Sequence, residues 1–294
     1  MYAWDWPITR EGTREDLSAE LSSLEFHPRG YEAMTAYNNI ILEEREGVGI
    51  ITLNNPESRN PLTEEMKEEL ISAFDEIERT DEIRALIVTG RGPAFCAGGD
   101  IKKIGTEMTP EETNAVMKKS QHLLWKILNL EKPVVAAVNG DAFGMGCNLA
   151  LATDFAIASD KARFSEAFIK LGLIPDFGAM YFLPRLIGLW KSKELAYLGS
   201  AITAEEAERI GLIYRVVPHD ELEKETMALA NRLAEMPTKA IGRAKKVLNQ
   251  AFDMTLAEVL TEEIEAQTYL SQTEDHREGI QAFVEKRQPK FRGK

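Results

Sequence analysis

Residues 139–179 read NGDAFGMGCNLALATDFAIASDKARFSEAFIKLGLIPDFGA, and their reading decides the fold. The stretch joins a glycine-rich turn (Gly140–Gly146), a short helix of small residues (Cys147, Asn148, Leu149, Ala150), two strand-like runs and an aspartate, Asp176, between apolar flanks. A helix that opens from such a turn has unpaired N–H groups and a positive dipole end at its start. Met145 is expected at or near that start. Upstream, Phe95–Asp100 (FCAGGD) is a second glycine loop. Its Gly98-Gly99 pair permits positive φ and close approach to the backbone, so the Gly99 N–H can face a cleft. Two backbone donors from separate strand-to-helix junctions, converging on one oxygen, would form an oxyanion hole. Taken singly, each loop also reads as a tight structural turn.

Outward from this stretch, strands and helices alternate. Ile40–Glu44 and Val48–Leu53 flank Glu46-Gly47 as a β-hairpin would, and Asn54-Asn55-Pro56-Glu57 ends the second strand. Thr63 opens a helix with Glu64 and Glu65 in its first turn; Leu62, Met66, Leu70, Ala73, Phe74 and Ile77 share one face. Ala85–Thr89 (ALIVT) and Pro133–Val138 (PVVAAV) are continuous apolar runs, as in strands buried on both sides. Between them, Thr109-Pro110-Glu111-Glu112 is a helix start: an N-cap Thr, Pro at the first position and Glu three residues after the cap. This order predicts an α/β protein with parallel pairing. From about Thr203 onward, Ala204–Ile210, Leu222–Ala234, Lys239–Ala251 and Leu256–Leu270 are helical by period. The expected organisation is therefore an irregular N-terminal arm (1–37), an α/β core (38–202) and a helical C-terminal segment (203–294).

Composition excludes some partners. A net charge of −13 argues against nucleic acid and anionic membranes, which need clustered Lys and Arg. An anionic small molecule held by a local basic patch stays open. The 44% hydrophobic content suits a soluble globular core. The first residues, MYAWDWPITREGTREDL, show no signal segment, and a cytoplasmic protein is expected. Cys96 and Cys147 have no metal-ligand spacing; each sits beside a glycine motif, as a small packed side chain does. No metal is expected.

FCAGGD, then NG…GMGCNLALATDFAIAS, then ARFSEAFIKLGLIPDFG…LPRLIG, resembles the enoyl-CoA hydratase/isomerase (crotonase) superfamily in order and spacing, from about Tyr37 to Lys294. LNNPESRNPL at Leu53–Leu62 and the ending GIQAFVEKRQPKFRGK resemble its early signature and its usual C-terminus. The resemblance implies a spiral of ββα units with a helical C-terminal trimerisation segment, giving homotrimers or dimers of trimers. It implies an acyl-CoA thioester substrate, with no cofactor beyond its CoA moiety, and a thioester carbonyl bound by the N–H groups of Gly99 and Met145. By family position Arg59 would meet the CoA phosphates, and the backbone of Phe95 or Ala97 the adenine end. Lys286, Arg287 and Lys290 would add positive charge near the nucleotide, though each of these cations also reads as a surface charge.

The chain departs from the hydratase pattern at two positions. The family's hydratases use two glutamates to activate water; here Asn148 and Phe168 stand in their places. Glu166 lies two residues before the second and on a strand would face the same way. Asp176, in a Pro-Asp-x-Gly pattern, resembles the branch that includes phenylacetate-pathway ring-epoxide and enoyl-CoA isomerases. As a residue it is either the cap of the next turn or a buried base. A single carboxylate suits a 1,3-proton shuttle, which makes an enoyl-CoA isomerase the expected activity. A hydratase of an unusual acyl-CoA, with Asn148 or Glu166 as a polar contact, and an acyl-CoA hydrolase are the enzymatic alternatives. A CoA- or RNA-binding homologue with little turnover is the non-enzymatic one.

Overall fold

The computed structural model describes residues 37–100 and 108–294. The N-terminal arm expected over 1–37 thus lies, but for Tyr37, outside the described residues. The chain builds two sheets. β1 (Ile40–Arg45) and β2 (Val48–Leu53) form the expected antiparallel hairpin, and β3 (Ala85–Gly90), β5 (Val134–Val138), β7 (Phe155–Ser159) and β10 (Arg215–Val217) extend it in parallel, in the order β1-β2-β3-β5-β7-β10. The strands between them, β4 (Ala94–Cys96), β6 (Asp141–Phe143) and β8 (Arg163–Ser165), pair in parallel in a second sheet. That sheet is closed by antiparallel β9 (Ile202–Thr203). From β3 to β8 successive strands thus go alternately to the large and the small sheet, the spiral that the resemblance implies.

The large sheet is buried on both faces, which is why its strands read as unbroken apolar runs. On one face, Leu86, Val88, Val134, Ala136 and Val138 pack with Leu70, Phe74 and Ile77 of α1 (Glu64–Arg79) and with Leu123 and Ile127 of α2 (Pro110–Asn129). Full burial of side chains such as Leu70 and Phe74 contributes about 2 kcal/mol each. Both helices start where their caps predict. The Thr63 hydroxyl accepts from the Met66 N–H, and Thr109 and Glu112 form a reciprocal capping box.

The opposite face is covered by the C-terminal part of the chain. Leu222, Ala230 and Ala234 of α6 (Leu222–Ala234) pack on Val48, Ile50, Val135, Ala137 and Ile157. α7 (Thr238–Gln250) is pinned by Lys245, whose ammonium donates to the Ile127 carbonyl at 3.1 Å and to Asp154 Oδ2 at 2.9 Å. β10, from this same part, is an edge strand of the large sheet. α8 (Leu256–Leu270) and α9 (Glu274–Glu285) differ in character: no α8 residue is buried, and Leu256, Ile264, Phe283 and Val284 are 66–75% exposed. Among the described residues no helix is long and apolar enough to cross a membrane.

Candidate active site

Three neighbouring parallel strands end on one side of the small sheet, and each delivers a candidate site residue just past its C-terminal end. Beyond β4 comes Gly98-Gly99, beyond β6 comes Met145, and beyond β8 comes Glu166. The carboxyl ends of parallel strands are where α/β sheets bind ligands, because the chain turns away there and leaves a crevice.

The first two junctions are fitted to each other with no room for a side chain. Gly98 has φ +101°, and a Cβ on it would lie 2.7 Å from the Phe143 carbonyl oxygen and 3.5 Å from the Met145 nitrogen. The expected glycine conformation is therefore real at Gly98, and it sets the loop against the start of α3 (Met145–Leu151). Met145 is the first residue of that helix, so its N–H has no partner within the helix. Gly99 is held from behind by a parallel bridge to Leu62, whose N–H donates to the Gly98 carbonyl at 2.8 Å. At Gly146 a Cβ would meet the Cys96 carbonyl oxygen at 2.1 Å, so α3 abuts β4 directly. Gly98, next to Gly99 in the chain, thus lies against the start of the helix that Met145 opens.

Arg59 and Ala97 also meet, the Ala97 N–H donating to the Arg59 carbonyl at 2.9 Å, while the Arg59 side chain is 64% exposed and 4.0 Å from Asp141. Phe95 is fully buried, and its carbonyl accepts from the Asn60 amide at 3.3 Å. Lys286 caps the end of α9, and the Lys290 N–H donates to Glu278 at 2.7 Å, so both sit in the C-terminal segment. Arg287 is likewise engaged there, by Glu278 and Glu285.

The side-chain chemistry gathers around Asn148. This residue is fully buried in α3, and its Nδ2 donates to the Asp176 backbone carbonyl at 3.0 Å and to Glu166 Oε2 at 3.4 Å. Asn148 Oδ1, Glu166 Oε1 and Asp176 Oδ1 are buried with no hydrogen-bond partner among the described residues. Such atoms are rare away from functional sites, since each costs about 1–3 kcal/mol. The Asp176 carboxylate does not cap α4 (Ala179–Leu198), whose N-cap is Gly178 without a side-chain bond. Burial pushes its pKa up to about 6, with the Lys67 ammonium pulling the other way. Burial pushes the Glu166 carboxyl to about 7, against hydrogen bonds from Cys147 and Asn148.

Glu166 does not face the site from a strand, as its spacing suggested. β8 ends at Ser165, and Glu166 (φ −91°, ψ 62°) opens the 3-10 turn Ala167–Leu171. Phe168, in that turn, lays its ring 3.4 Å from the Cβ position of Gly144. The two cysteines are buried, and burial raises both thiols, Cys96 to about 12.

Two residues were missed in the sequence. Asn60 is fully buried, accepts from the Asn55 N–H at 2.8 Å and donates to the Arg91 and Ala94 carbonyls at 2.9 Å, so it fixes the approach to the FCAGGD loop. Lys67 is 1% exposed, bonds Ser120 Oγ at 3.0 Å and pairs with Glu64. Its spacing from Leu70 and Phe74 placed it on the buried stripe of α1, a visible signal. Among the described residues no three His, Cys, Asp or Glu side chains are grouped to hold a metal.

The sequence matches the family model described as enoyl-CoA hydratase/isomerase over residues 43–294. It is 40% identical to 1,2-epoxyphenylacetyl-CoA isomerase of Escherichia coli K12, over 87% of this chain and 98% of that protein. It is 33% identical to trans-2-decenoyl-acyl-carrier-protein isomerase of Streptococcus mutans, over 88% of this chain and 99% of that one. An enoyl-CoA hydratase from Bacillus anthracis superposes with a TM-score of 0.83 at 35% identity, over 87% of this chain and 100% of that one. The family model spans most of the chain, and these relatives are matched over nearly their whole length: the chain belongs to the enoyl-CoA hydratase/isomerase family.

Proposed function

We propose that this protein is an enoyl-CoA isomerase that moves a carbon–carbon double bond by way of a thioester enolate, with Asp176 as the single proton-carrying base. The N–H groups of Gly99 and Met145 bind the thioester oxygen. As the α- or γ-proton leaves, negative charge builds on that oxygen, and each preorganised donor lowers the barrier by about 3 kcal/mol. Asp176 takes the proton from one carbon and returns it to another, so the substrate changes structure but not mass. One observation carries the reading. Asp176 is the carboxylate of the cluster that has a buried, unpartnered oxygen and a cation, Lys67, acting on it, while the two hydratase glutamate positions are Asn148 and Phe168. A phenyl ring where a carboxylate would hold water makes for a drier site.

In this reading Arg59 and the backbone of Phe95 and Ala97 receive the CoA moiety, with Lys286 and Lys290 adding charge, and no other cofactor is required. The exposed apolar faces of α8 and α9 support assembly into a homotrimer or a dimer of trimers. A second reading, hydration, is favoured by Glu166, a second carboxyl in the same cluster.

Incubation with 2-enoyl- and 3-enoyl-CoA, followed by mass spectrometry of the products, separates the readings. Isomerisation leaves the mass unchanged with the double bond shifted. Gain of one water, or release of free CoA, would show hydration or hydrolysis and sink the proposal.

A further inference from the structure

Glu166 is the group in the site that the shuttle leaves unused. It is 1% exposed, and among the described residues the groups acting on it are the Cys147 thiol, the Asn148 amide and the charge of Asp176, with no cation. Asp176 is placed differently, because Lys67 of α1 acts on it. Lys67 is itself held by Glu64 and by Ser120 of α2, where Lys119 also bridges Glu64 at 3.2 Å. From α3 the titratable neighbour of Glu166 is Cys147, whose thiol stays protonated through burial and the adjacent carboxyl. The backbone of Glu166 is packed against Gly199, 3.3 Å from its carbonyl oxygen to the glycine's Cβ position. One Asn148 amide nitrogen touches the Glu166 carboxyl and the Asp176 backbone carbonyl, so the two acids are buried on either side of one amide, and among the described residues Lys67 is the lysine that acts on one of them.

Two carboxyls so placed do not ionise together, since each charge opposes the other and only one is served by a cation. We propose that Glu166 is a positioning residue held as a neutral acid: its proton leaves Asp176 as the negatively charged member of the pair, and loss of that proton shuts the site on the alkaline side. The enolate is the reason the extra charge matters. A second carboxylate would oppose the negative charge that develops on the substrate, in a medium that screens it poorly. The inference rests on Asp176 as base, but it assigns Glu166 a role that proton shuttling alone does not need.

Glu166→Gln keeps the shape of the neutral acid and removes the proton. For the wild type, kcat/KM for a 3-enoyl-CoA should fall below about pH 6 as Asp176 protonates, and again above about pH 7 as Glu166 ionises. The variant should keep the acid limb and lose the alkaline one, exceeding the wild type roughly ten-fold at pH 8 if both are equal at pH 6. An alkaline limb of the same midpoint in the variant, or no alkaline limb in the wild type, overturns the proposal.

A substrate-free measurement decides independently. A carboxyl whose pKa is raised by folding destabilises the fold as pH rises from its unfolded value of about 4.5 to its folded value of about 7. The melting temperature of Glu166→Gln minus that of the wild type should therefore rise between pH 5 and pH 8. A constant gap across that range refutes a protonated Glu166. If no enoyl-CoA is turned over, the isomerase reading fails, and the melting comparison still judges Glu166.

Discussion

Two regions break the usual rules of a folded surface and interior, in opposite senses. Around the strand ends beyond β4, β6 and β8, polar atoms are buried without a hydrogen-bond partner among the described residues: Asn148 Oδ1, Glu166 Oε1 and Asp176 Oδ1. On α8 and α9, large apolar side chains are exposed, among them Leu256 and Val284 at 75% and 74%. Neither arrangement stabilises a lone chain. Buried unpaired oxygens cost free energy, and exposed apolar faces forgo it. We read the first kind of departure as a mark of chemistry and the second as a mark of the proposed assembly. The lesson is that the two should respond to different mutations, and each prediction below sets one region against the other.

The largest effect belongs to Asp176→Asn. Loss of the base should cost ~10³-fold or more in kcat while KM changes only a few-fold, as read by steady-state kinetics. Retained turnover would remove Asp176 from the mechanism. Next comes Gly98→Ala, where a Cβ meets the Phe143 carbonyl at 2.7 Å. Shifting this loop should misplace the Gly99 N–H and lower kcat ~10²-fold, with circular dichroism reporting a preserved fold.

Lys67→Met tests the cation behind the base. Lys67 lowers the Asp176 pKa, so its removal should move the acid limb above about pH 6 and weaken activity more at pH 6 than at pH 8. A pH–rate profile checks the direction. The smallest effect on the fold belongs to the other region. Ile264→Gln should change the melting temperature of the isolated chain little, within about 0.5 kcal/mol of stability, yet lower the assembly mass seen by light scattering. A monomeric wild type would dissolve the contrast.

Much of the fold was legible because its causes are local. Thr63 and Thr109 sit within three residues of the N–H groups they cap, and the double-sided burial of Ala85–Gly90 and Val134–Val138 is written in their unbroken apolar runs. The glycine loops were legible for a similar reason, since only glycine fits where Gly98 and Gly146 meet a neighbouring carbonyl. What stayed hidden depends on separation along the chain. Nothing near Glu166 announces that Asn148, eighteen residues earlier, will reach it. Nothing around Lys67 announces that its charge will act on Asp176, more than a hundred residues later. Asn60 looks like an ordinary turn residue until the Arg91–Phe95 carbonyls close on its amide. Glu166 misled the period-2 reading because β8 stops one residue before it.

The alternation of strands between two sheets has a further consequence, for how this scaffold can be altered. The donors after β4 and β6 are backbone groups, and the spacing of the strands that carry them is set by sheet hydrogen bonding, about 4.8 Å between neighbours. Side-chain exchange barely touches that distance. The third strand end contributes a side chain instead, at Glu166, and the helix beside it contributes Asn148. In the proposed reaction the molecule therefore separates a fixed chassis, which would grip the thioester, from replaceable parts, which would decide where protons go. Redesign toward a different proton itinerary should begin at positions 148, 166, 168 and 176 and leave the glycines alone.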